Sequence, residues 1–193
     1  MPIENERKFL LLESGAVERE IAVRAEQTLR IEQKYLVIEK GLSVRVRVST
    51  NDGTPSYRLT FKKDVKGQVV EVETPVSEDD FTKLWTTGCN KVIKTRYIYQ
   101  GWEVDFFKTA AGETYLAVAE VELLPWQKTP NHIPELISNY IIFPVPANDR
   151  RFSNKKLGNI KYATKLLSEI KKISNSPHIN RQDDLKTLKK KIK

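Results

Sequence analysis

Apolar and polar residues alternate along most of this chain, in short runs that end at glycine, asparagine, aspartate or proline. Around Val46, for example, valines alternate with Arg45 and Arg47, which is the two-residue period of a β-strand. Turn signals such as residues 51–55 separate neighbouring runs. The pattern predicts eight strands, over residues 3–10, 28–38, 42–50, 57–63, 68–76, 91–99, 102–108 and 115–124.

Few segments have the periodicity of a helix. Residues 14–26 predict a short helix or an irregular connection, and Ser77 opens a second helix through a capping box. A proline-rich connection over residues 125–146, with a short helix around residues 133–140, precedes a longer helix over residues 153–173, with Gly158 as a candidate interruption. Strands joined by tight turns, with few helices between them, predict an α+β protein that is mainly antiparallel β. We expect an eight-stranded β-barrel, or a strongly curled sheet, with a few flanking helices.

The chain has 193 residues and a formal net charge of +8, and it is long enough for one domain with a substantial core. The charge is uneven, because residues 159–193 carry ten Lys and Arg but three Asp and Glu. We therefore divide the chain into a domain over residues 1–158 and a basic C-terminal helix and tail over residues 159–193. We interpret the tail as a solvated helix with a frayed end; contact with nucleic acid, an acidic partner or a membrane surface is the alternative.

Composition argues against several classes of protein. No apolar run is long enough to span a bilayer, and the N-terminus lacks the basic-then-apolar pattern of a signal peptide. We therefore expect a cytoplasmic protein without a membrane partner. Cys89 is the only cysteine, so no internal disulfide forms. The two histidines, His132 and His178, lie far apart in sequence, which argues against zinc chemistry.

Charges of the same sign recur two or four residues apart on nearly every predicted strand. A solvated strand face normally mixes signs, whereas here the opposite faces are Val, Ile, Leu and Phe. If the charged faces point inward together, they form basic and acidic rows that suit a polyanion bound with a divalent metal. No glycine-rich phosphate loop is present, so side chains must bind the phosphates. The pairs are Glu4/Glu6, Arg45/Arg47, Arg58/Lys62, Glu71/Glu73, Lys94/Arg96, Glu103/Asp105 and Glu120/Glu122.

The first strand concentrates this pattern. Glu4, Glu6 and Lys8 share one side of a strand, with the carboxylates about 7 Å apart at two-residue spacing. Two such carboxylates repel unless a cation lies between them, and a hard divalent metal prefers oxygen ligands. Lys8 would then meet an anion held by the metal. The alternative is an ordinary solvated strand face.

Nine short motifs, in order over residues 1–158, resemble those of the CYTH family, also called triphosphate tunnel metalloenzymes. The small bacterial inorganic triphosphatase branch is the most similar. The motifs are E-N-E-R-K at 4–8, Q-K-Y-L at 33–36, V-R-V-R at 44–47, L-T-F-K at 59–62, E-V-E at 71–73, K-T-R-Y at 94–97, W-E-V-D at 102–105, A-E-V-E at 119–122 and D-R-R-F-S-N at 149–154. The last departs from the family pattern by Phe152 in place of tyrosine, which removes one hydroxyl.

The resemblance implies an eight-stranded tunnel that acts on a triphosphate with Mg²⁺ or Mn²⁺, and it assigns roles to single residues. The metal-binding carboxylates are Glu4, Glu6, Glu120 and Glu122, with Glu71 and Glu73 helping to hold or position a second metal. The side chains that bind phosphate oxygens are Lys8, Arg45, Arg47, Lys62, Arg96 and Arg151. Lys94, paired with Tyr35, orients or deprotonates the attacking water, and Asp105 is a structural partner of a tunnel base. Arg58 has no firm counterpart in the family.

We expect hydrolysis of inorganic tripolyphosphate to pyrophosphate and phosphate. A lysine acts as the base only if its pKa falls toward neutrality, and neighbouring cations lower it. One alternative is a class IV-like adenylate cyclase or a phosphatase for thiamine or nucleoside triphosphates. Another is a non-catalytic module that binds polyphosphate or nucleotides. The expected partner is a small-molecule triphosphate and not nucleic acid, and a homodimer stays open.

Overall fold

A computed structural model describes residues 5–147 and 149–174, and these contain one antiparallel sheet with short helices around it. The strands are β1 (Glu6–Leu11), β2 (Gln27–Glu39), β3 (Leu42–Asn51), β4 (Thr54–Val65), β5 (Gln68–Pro75), β6 (Cys89–Tyr99), β7 (Trp102–Lys108), β8 (Thr114–Glu122) and β9 (Ile141–Pro144). The helices are α1 (Gly15–Arg24), α2 (Glu78–Thr87), α3 (Glu135–Ser138), α4 (Asn154–Leu157) and α5 (Ile160–Ser174), with a 3₁₀ turn at Arg150–Phe152.

The sheet confirms a mainly antiparallel α+β fold but differs from the expected eight-stranded barrel. Its order is β5-β4-β3-β2-β6-β7-β8-β1-β9, and within residues 5–147 and 149–174 no ladder joins β5 to β9, so the sheet is open. The ninth strand comes from the proline-rich connection and pairs with β1 through Leu10↔Phe143. Closure of eight strands would have used that edge of β1, and β9 now lies along it.

Local sequence explains most of the element boundaries. Ser14 caps α1 by accepting a hydrogen bond from Val17 N at 3.1 Å, and Ser77 caps α2 in the same way. The helix predicted over residues 153–173 is divided at Gly158 into α4 and α5. A Cβ on Gly158 would lie 2.4 Å from Val92 Cγ2, so glycine lets this turn approach β6 closely.

The two faces of the sheet have different surroundings. We call the face that carries Arg45 and Lys94 the charged face. On the opposite face, Val104 and Phe106 pack with α1 and α3 in a buried cluster that includes Ile21 and Ile137. Helix α2 lies against β3 and β4 on the same sheet. These helices therefore cover the apolar side of the strands, as alternation requires.

A second core closes one end of the charged face. Along β8, the residues on this face change from Leu116 and Val118 to Glu120. Leu157 of α4 and Leu166 of α5 pack on the apolar end in one buried cluster with Val118. The charged end of this face lies beyond this buried cluster. Helix α5 thus contributes to the core, and the division of the chain at residue 158 stays a prediction.

Among the described residues, no helix combines the length and apolarity needed to cross a bilayer.

Candidate functional site

The register of the sheet places most of the sequence-predicted site residues on one face. Cross-strand partners point to the same side of a sheet, and the ladders link the predicted residues from β1 to β5. Examples are Lys8↔Glu120, Tyr35↔Arg45 and Lys62↔Glu71. The predicted residues on the charged face are Glu6, Lys8, Tyr35, Arg45, Arg47, Lys62, Glu71, Glu73, Lys94, Arg96, Glu120 and Glu122.

Two predicted residues are not placed on this face. Glu4 lies outside the described residues. Arg151 belongs to the 3₁₀ turn, and its Nη2 contacts Asp149 Oδ2 at 2.7 Å. Tyr162 Oη also donates to the Arg151 carbonyl at 3.3 Å, so the turn is fixed against α5.

Lys94 is the centre of the site. Its residue exposure is 2% and that of its partner Asp105 is 0%. Lys94 Nζ donates to Asp105 Oδ2, and it lies 3.5 Å from Asn154 Oδ1 of α4. Arg96 holds the same carboxylate with two hydrogen bonds, Nε to Oδ1 and Nη2 to Oδ2, each 2.7 Å long. One buried carboxylate therefore serves two buried cations.

This arrangement moves the pKa values of the two partners in a consistent way. Burial, with the charge of Arg96 added, lowers the pKa of Lys94 to about 8, against the opposing pull of Asp105. Burial alone would raise the pKa of Asp105, but Arg96 and Lys94 hold it well below its usual range. Asp105 already neutralises Arg96, so it compensates only part of the cost of burying a charged lysine.

Tyr35 reaches the charged face from β2, and its hydroxyl accepts a hydrogen bond from Gln33 Nε2 at 3.3 Å. The resemblance paired Tyr35 with Lys94, whereas the described hydrogen bonds of Lys94 Nζ go to Asp105 and Asn154. Gln33 is buried, and its place in the Q-K-Y-L motif was the signal that could have identified it.

Four cations and two carboxylates form one side of the charged face, which we call the cationic flank. Arg47 Nη2 lies 2.9 Å from Glu73 Oε1, and Lys62 Nζ lies 2.9 Å from Glu71 Oε2. The Nε atoms of Arg45 and Arg47 are buried without a hydrogen-bond partner. The cationic flank consists of Arg45, Arg47, Arg58, Lys62, Glu71 and Glu73.

Four carboxylates and one ammonium form the other side, which we call the acidic flank. Lys8 Nζ bridges Glu6 Oε1 at 2.7 Å and Glu120 Oε1 at 2.9 Å. Burial would lower the pKa of Lys8, but these two carboxylates hold it above its usual range. Burial raises the pKa of the Glu103 carboxyl above its usual range. No role was assigned to Glu103 from the sequence. The acidic flank consists of Glu6, Lys8, Glu103, Glu120 and Glu122.

The donor chemistry of the acidic flank suits a hard divalent cation, since all its acidic ligands are carboxylates. Glu6 pairs with Glu122, and Glu103 pairs with Glu120, so the four carboxylates lie on three adjacent strands. Within residues 5–147 and 149–174, no three Asp, Glu, His or Cys side chains already form a metal-binding group. The ammonium of Lys8 lies between two of the carboxylates, where a cation would be held.

Comparison with known proteins finds similar structures but does not assign the chain to a family. No family model matches the chain, and no curated protein matches it. The hypothetical protein NE1496 is 28% identical, with 80% of this chain and 97% of that chain covered at a TM-score of 0.48. A protein of Pyrococcus horikoshii is 16% identical, covering 96% and 99% of the two chains at a TM-score of 0.45. A protein of Bacillus halodurans that carries the provisional name of an adenylate cyclase is 13% identical, covering 93% and 95% at a TM-score of 0.44.

The fold and the face together define the class: a mainly antiparallel α+β protein whose sheet gathers cations and carboxylates on one side.

Proposed function

We propose that this protein is a divalent-metal-dependent triphosphatase that hydrolyses inorganic tripolyphosphate to pyrophosphate and phosphate. The observation that carries the proposal is the separation of charge across one face of the sheet. Cations exceed carboxylates on the cationic flank, and carboxylates exceed cations on the acidic flank. A triphosphate bound with a divalent cation has the complementary separation. The motif resemblance supports the same assignment.

Side chains of the cationic flank bind the phosphoryl oxygens. Arg45 is 8% exposed and its Nε has no hydrogen-bond partner, although a buried donor is normally satisfied. The Nε of Arg47 is also buried without a hydrogen-bond partner among the described residues. Guanidinium groups bind phosphate oxygens through charge-assisted hydrogen bonds, so a bound polyanion would satisfy both donors. Lys62, one strand further, provides the next cation.

The acidic flank would hold Mg²⁺ or Mn²⁺ through Glu6, Glu120 and Glu122, with Glu4 as a further candidate ligand outside the described residues. The metal supplies neutralisation of phosphoryl-oxygen charge when it is bound. Lys8 Nζ lies between Glu6 and Glu120 within the acidic flank. From there it binds a phosphoryl oxygen. In this proposal, Glu71 and Glu73 would help to hold or position a second metal.

Lys94 serves as the general base. With a pKa of about 8, roughly a tenth of the Lys94 side chains are unprotonated at pH 7 and half near pH 8, and the unprotonated form is the one that acts as a base. Asp105 and Asn154 hold the amine in place. The Tyr35 hydroxyl accepts a hydrogen bond from Gln33, so its own proton is free to orient the attacking water. Arg96 fixes Asp105 and adds positive charge beside the reacting phosphoryl group.

The walls of the substrate groove are the strands β1 to β8. The described sheet is open, and β9 lies along the edge of β1, so the substrate lies along the charged face and not inside a closed tunnel.

The test is a substrate panel with purified full-length protein and Mg²⁺ or Mn²⁺. Phosphate release is measured from tripolyphosphate, ATP and thiamine triphosphate, and cyclic AMP is measured with ATP. We expect tripolyphosphate to give the highest kcat/KM and ATP to give no cyclic AMP. Activity on another triphosphate without hydrolysis of tripolyphosphate would overturn the proposal, and so would binding without turnover.

Matched arginine variants show whether the charged face carries the activity. Arg45→Gln removes a buried cation of the cationic flank, whereas Arg30→Gln removes an exposed cation from the opposite side of the neighbouring strand β2. A charge-assisted hydrogen bond contributes about 1.5–3 kcal/mol, so R45Q should lower kcat/KM for tripolyphosphate roughly ten- to a hundredfold. R30Q should leave it within about twofold. Equal effects of the two variants would show that the charged face does not take part in the activity.

A further inference from the structure

A cavity opens at the end of the charged face, beside the hairpin that joins β3 and β4. Its volume is about 620 Å³. The hairpin turn has positive φ at Asp52 and Gly53, the type I′ geometry that fixes strand register. That register places Arg47 directly opposite Arg58. The residues of the cavity wall that matter here are Gln27, Leu29, Arg47, Ser49, Ser56 and Arg58.

Among its described lining residues, the cavity has two guanidinium groups, Arg47 and Arg58, and one carboxylate, that of Asp52 in the hairpin turn. Like charges directly opposite each other destabilise a sheet, and here Arg47 and Arg58 share one carboxylate oxygen. Glu73 Oε1 lies 2.9 Å from Arg47 Nη2 and 3.5 Å from Arg58 Nε. The other oxygen of Glu73 accepts from Thr60 Oγ1 at 2.8 Å. Arg47 Nε remains buried without a partner.

The residues that line the cavity determine which kind of anion it can bind. Guanidinium, hydroxyl and amide groups line the cavity together with the Asp52 carboxylate, and none of the described lining residues is aromatic. A nucleobase is normally recognised by stacking on an aromatic side chain, so the wall lacks the means to hold a nucleoside. Phosphoryl oxygens, by contrast, bind to guanidinium and hydroxyl groups. The cavity therefore suits an inorganic phosphoryl group better than the organic part of a nucleotide.

The cavity also continues the row of cations on which the triphosphate is proposed to lie. Arg45 and Arg47 are two residues apart on β3, and Arg58 follows across the ladder from Arg47. Beyond Arg58, the same face continues with the facing pair Ser49 and Ser56. A chain of phosphoryl groups that follows this row reaches the cavity after it passes Arg47.

We propose that this cavity is a binding subsite for a fourth phosphoryl group of a linear inorganic polyphosphate, with Arg58 as the residue that contacts it. The inference rests on the proposed function for the position of the first three phosphoryl groups. It makes Arg58 a specificity-determining residue, which favours inorganic chains of four or more phosphoryl groups over nucleoside triphosphates.

The test is calorimetric binding of tripolyphosphate and tetrapolyphosphate to the wild type, R58Q and R30Q, at fixed ionic strength with EDTA present. The wild type should bind tetrapolyphosphate more tightly. R58Q should weaken binding of tetrapolyphosphate roughly tenfold more than binding of tripolyphosphate, as expected for one charge-assisted contact. R30Q removes the same charge on the opposite face and should not discriminate between the two chains. Circular dichroism of each variant confirms folding.

Each outcome decides the inference. Equal weakening of both chains by R58Q, or a wild type that binds tripolyphosphate at least as tightly, overturns it. Failure to bind either chain overturns the inference, whereas the proposed function, which includes a metal, is decided separately by the phosphate-release panel with Mg²⁺ or Mn²⁺. Selective weakening by R58Q in a protein that hydrolyses no polyphosphate supports the subsite and overturns the triphosphatase activity alone.

Discussion

The depressed pKa of Lys94 makes stability depend on pH in a definite direction. The ordinary lysine pKa is 10.5, and burial beside Arg96 lowers it to about 8 in the folded protein. Between these values the unfolded chain keeps a proton that the folded chain has lost. Stability therefore rises with pH through this window. The contribution is fully present above 10.5 and is lost as the pH falls through about 8.

The magnitude follows from the displacement of the pKa. One pKa unit corresponds to about 1.36 kcal/mol, so a fall from 10.5 to about 8 corresponds to about 3 kcal/mol. Lys94 is buried on every side, so solvent does not screen its charge. At pH 7 most Lys94 side chains are thus still protonated, and this buried charge lowers the stability of the fold.

Urea denaturation of the wild type and Lys94→Met over a pH series measures this contribution. All other titrating groups are shared, so the difference between the two free energies of unfolding isolates Lys94. We expect the wild type to gain about 3 kcal/mol relative to K94M between about pH 7 and about pH 11. A difference that stays constant until the pH exceeds 10 would show that Lys94 titrates like a free lysine, and the assignment as base would lose its physical ground.

Three further changes test other parts of the structure. Asp105→Asn leaves the buried Lys94 without its carboxylate partner and Arg96 with Glu103 as its remaining ion-pair partner among the described residues, and it should lower the free energy of unfolding by about 3–5 kcal/mol, measured in urea near pH 7. Gly158→Ala places a Cβ 2.4 Å from Val92 Cγ2 and should cost about 1–3 kcal/mol, seen as a lower Tm. Lys8→Met removes the ammonium that bridges two carboxylates and should raise Mn²⁺ affinity without polyphosphate roughly tenfold, measured by calorimetry.

Each of these has an outcome that contradicts it. An Asp105→Asn protein as stable as the wild type would mean that Lys94 and Arg96 find other partners. An unchanged Tm for Gly158→Ala would mean that α4 moves away from β6 at no cost. Weaker Mn²⁺ binding by K8M would mean that Lys8 organises the carboxylates instead of competing with the metal.

Strand positions could be predicted from the sequence because alternation and turn residues are local signals. The hairpin at Asp52 and Gly53 is such a case, since the turn chemistry also fixes the register. The ninth strand, Ile141–Pro144, was missed because prolines surround it and its partner, β1, lies far away in the chain. Closure of the barrel was expected from the family resemblance, and the edge pairing that decides it has no local signature.

The common face of the charged residues followed from the same alternation, but their partners did not. Lys94 and Arg96 share Asp105 because β6 and β7 pair with Arg96 opposite Asp105. Asn154 reaches Lys94 from α4, sixty residues away in the chain. Such contacts depend on register and helix docking, which residue spacing within a single strand does not encode.

Under the proposed function, the existing ion pairs predict that the polyanion and the metal assist each other's binding. In the protein alone, Lys62 and Arg47 are held by Glu71 and Glu73, and Lys8 is held by carboxylates of the acidic flank. A polyanion that attracts these cations releases the carboxylates, which then favour a divalent cation. A cation that binds the carboxylates in turn releases the ammonium and guanidinium groups for phosphate. Because such coupling is reciprocal, the factor by which Mn²⁺ tightens polyphosphate binding must equal the factor by which polyphosphate tightens Mn²⁺ binding, once complex formation in solution is subtracted.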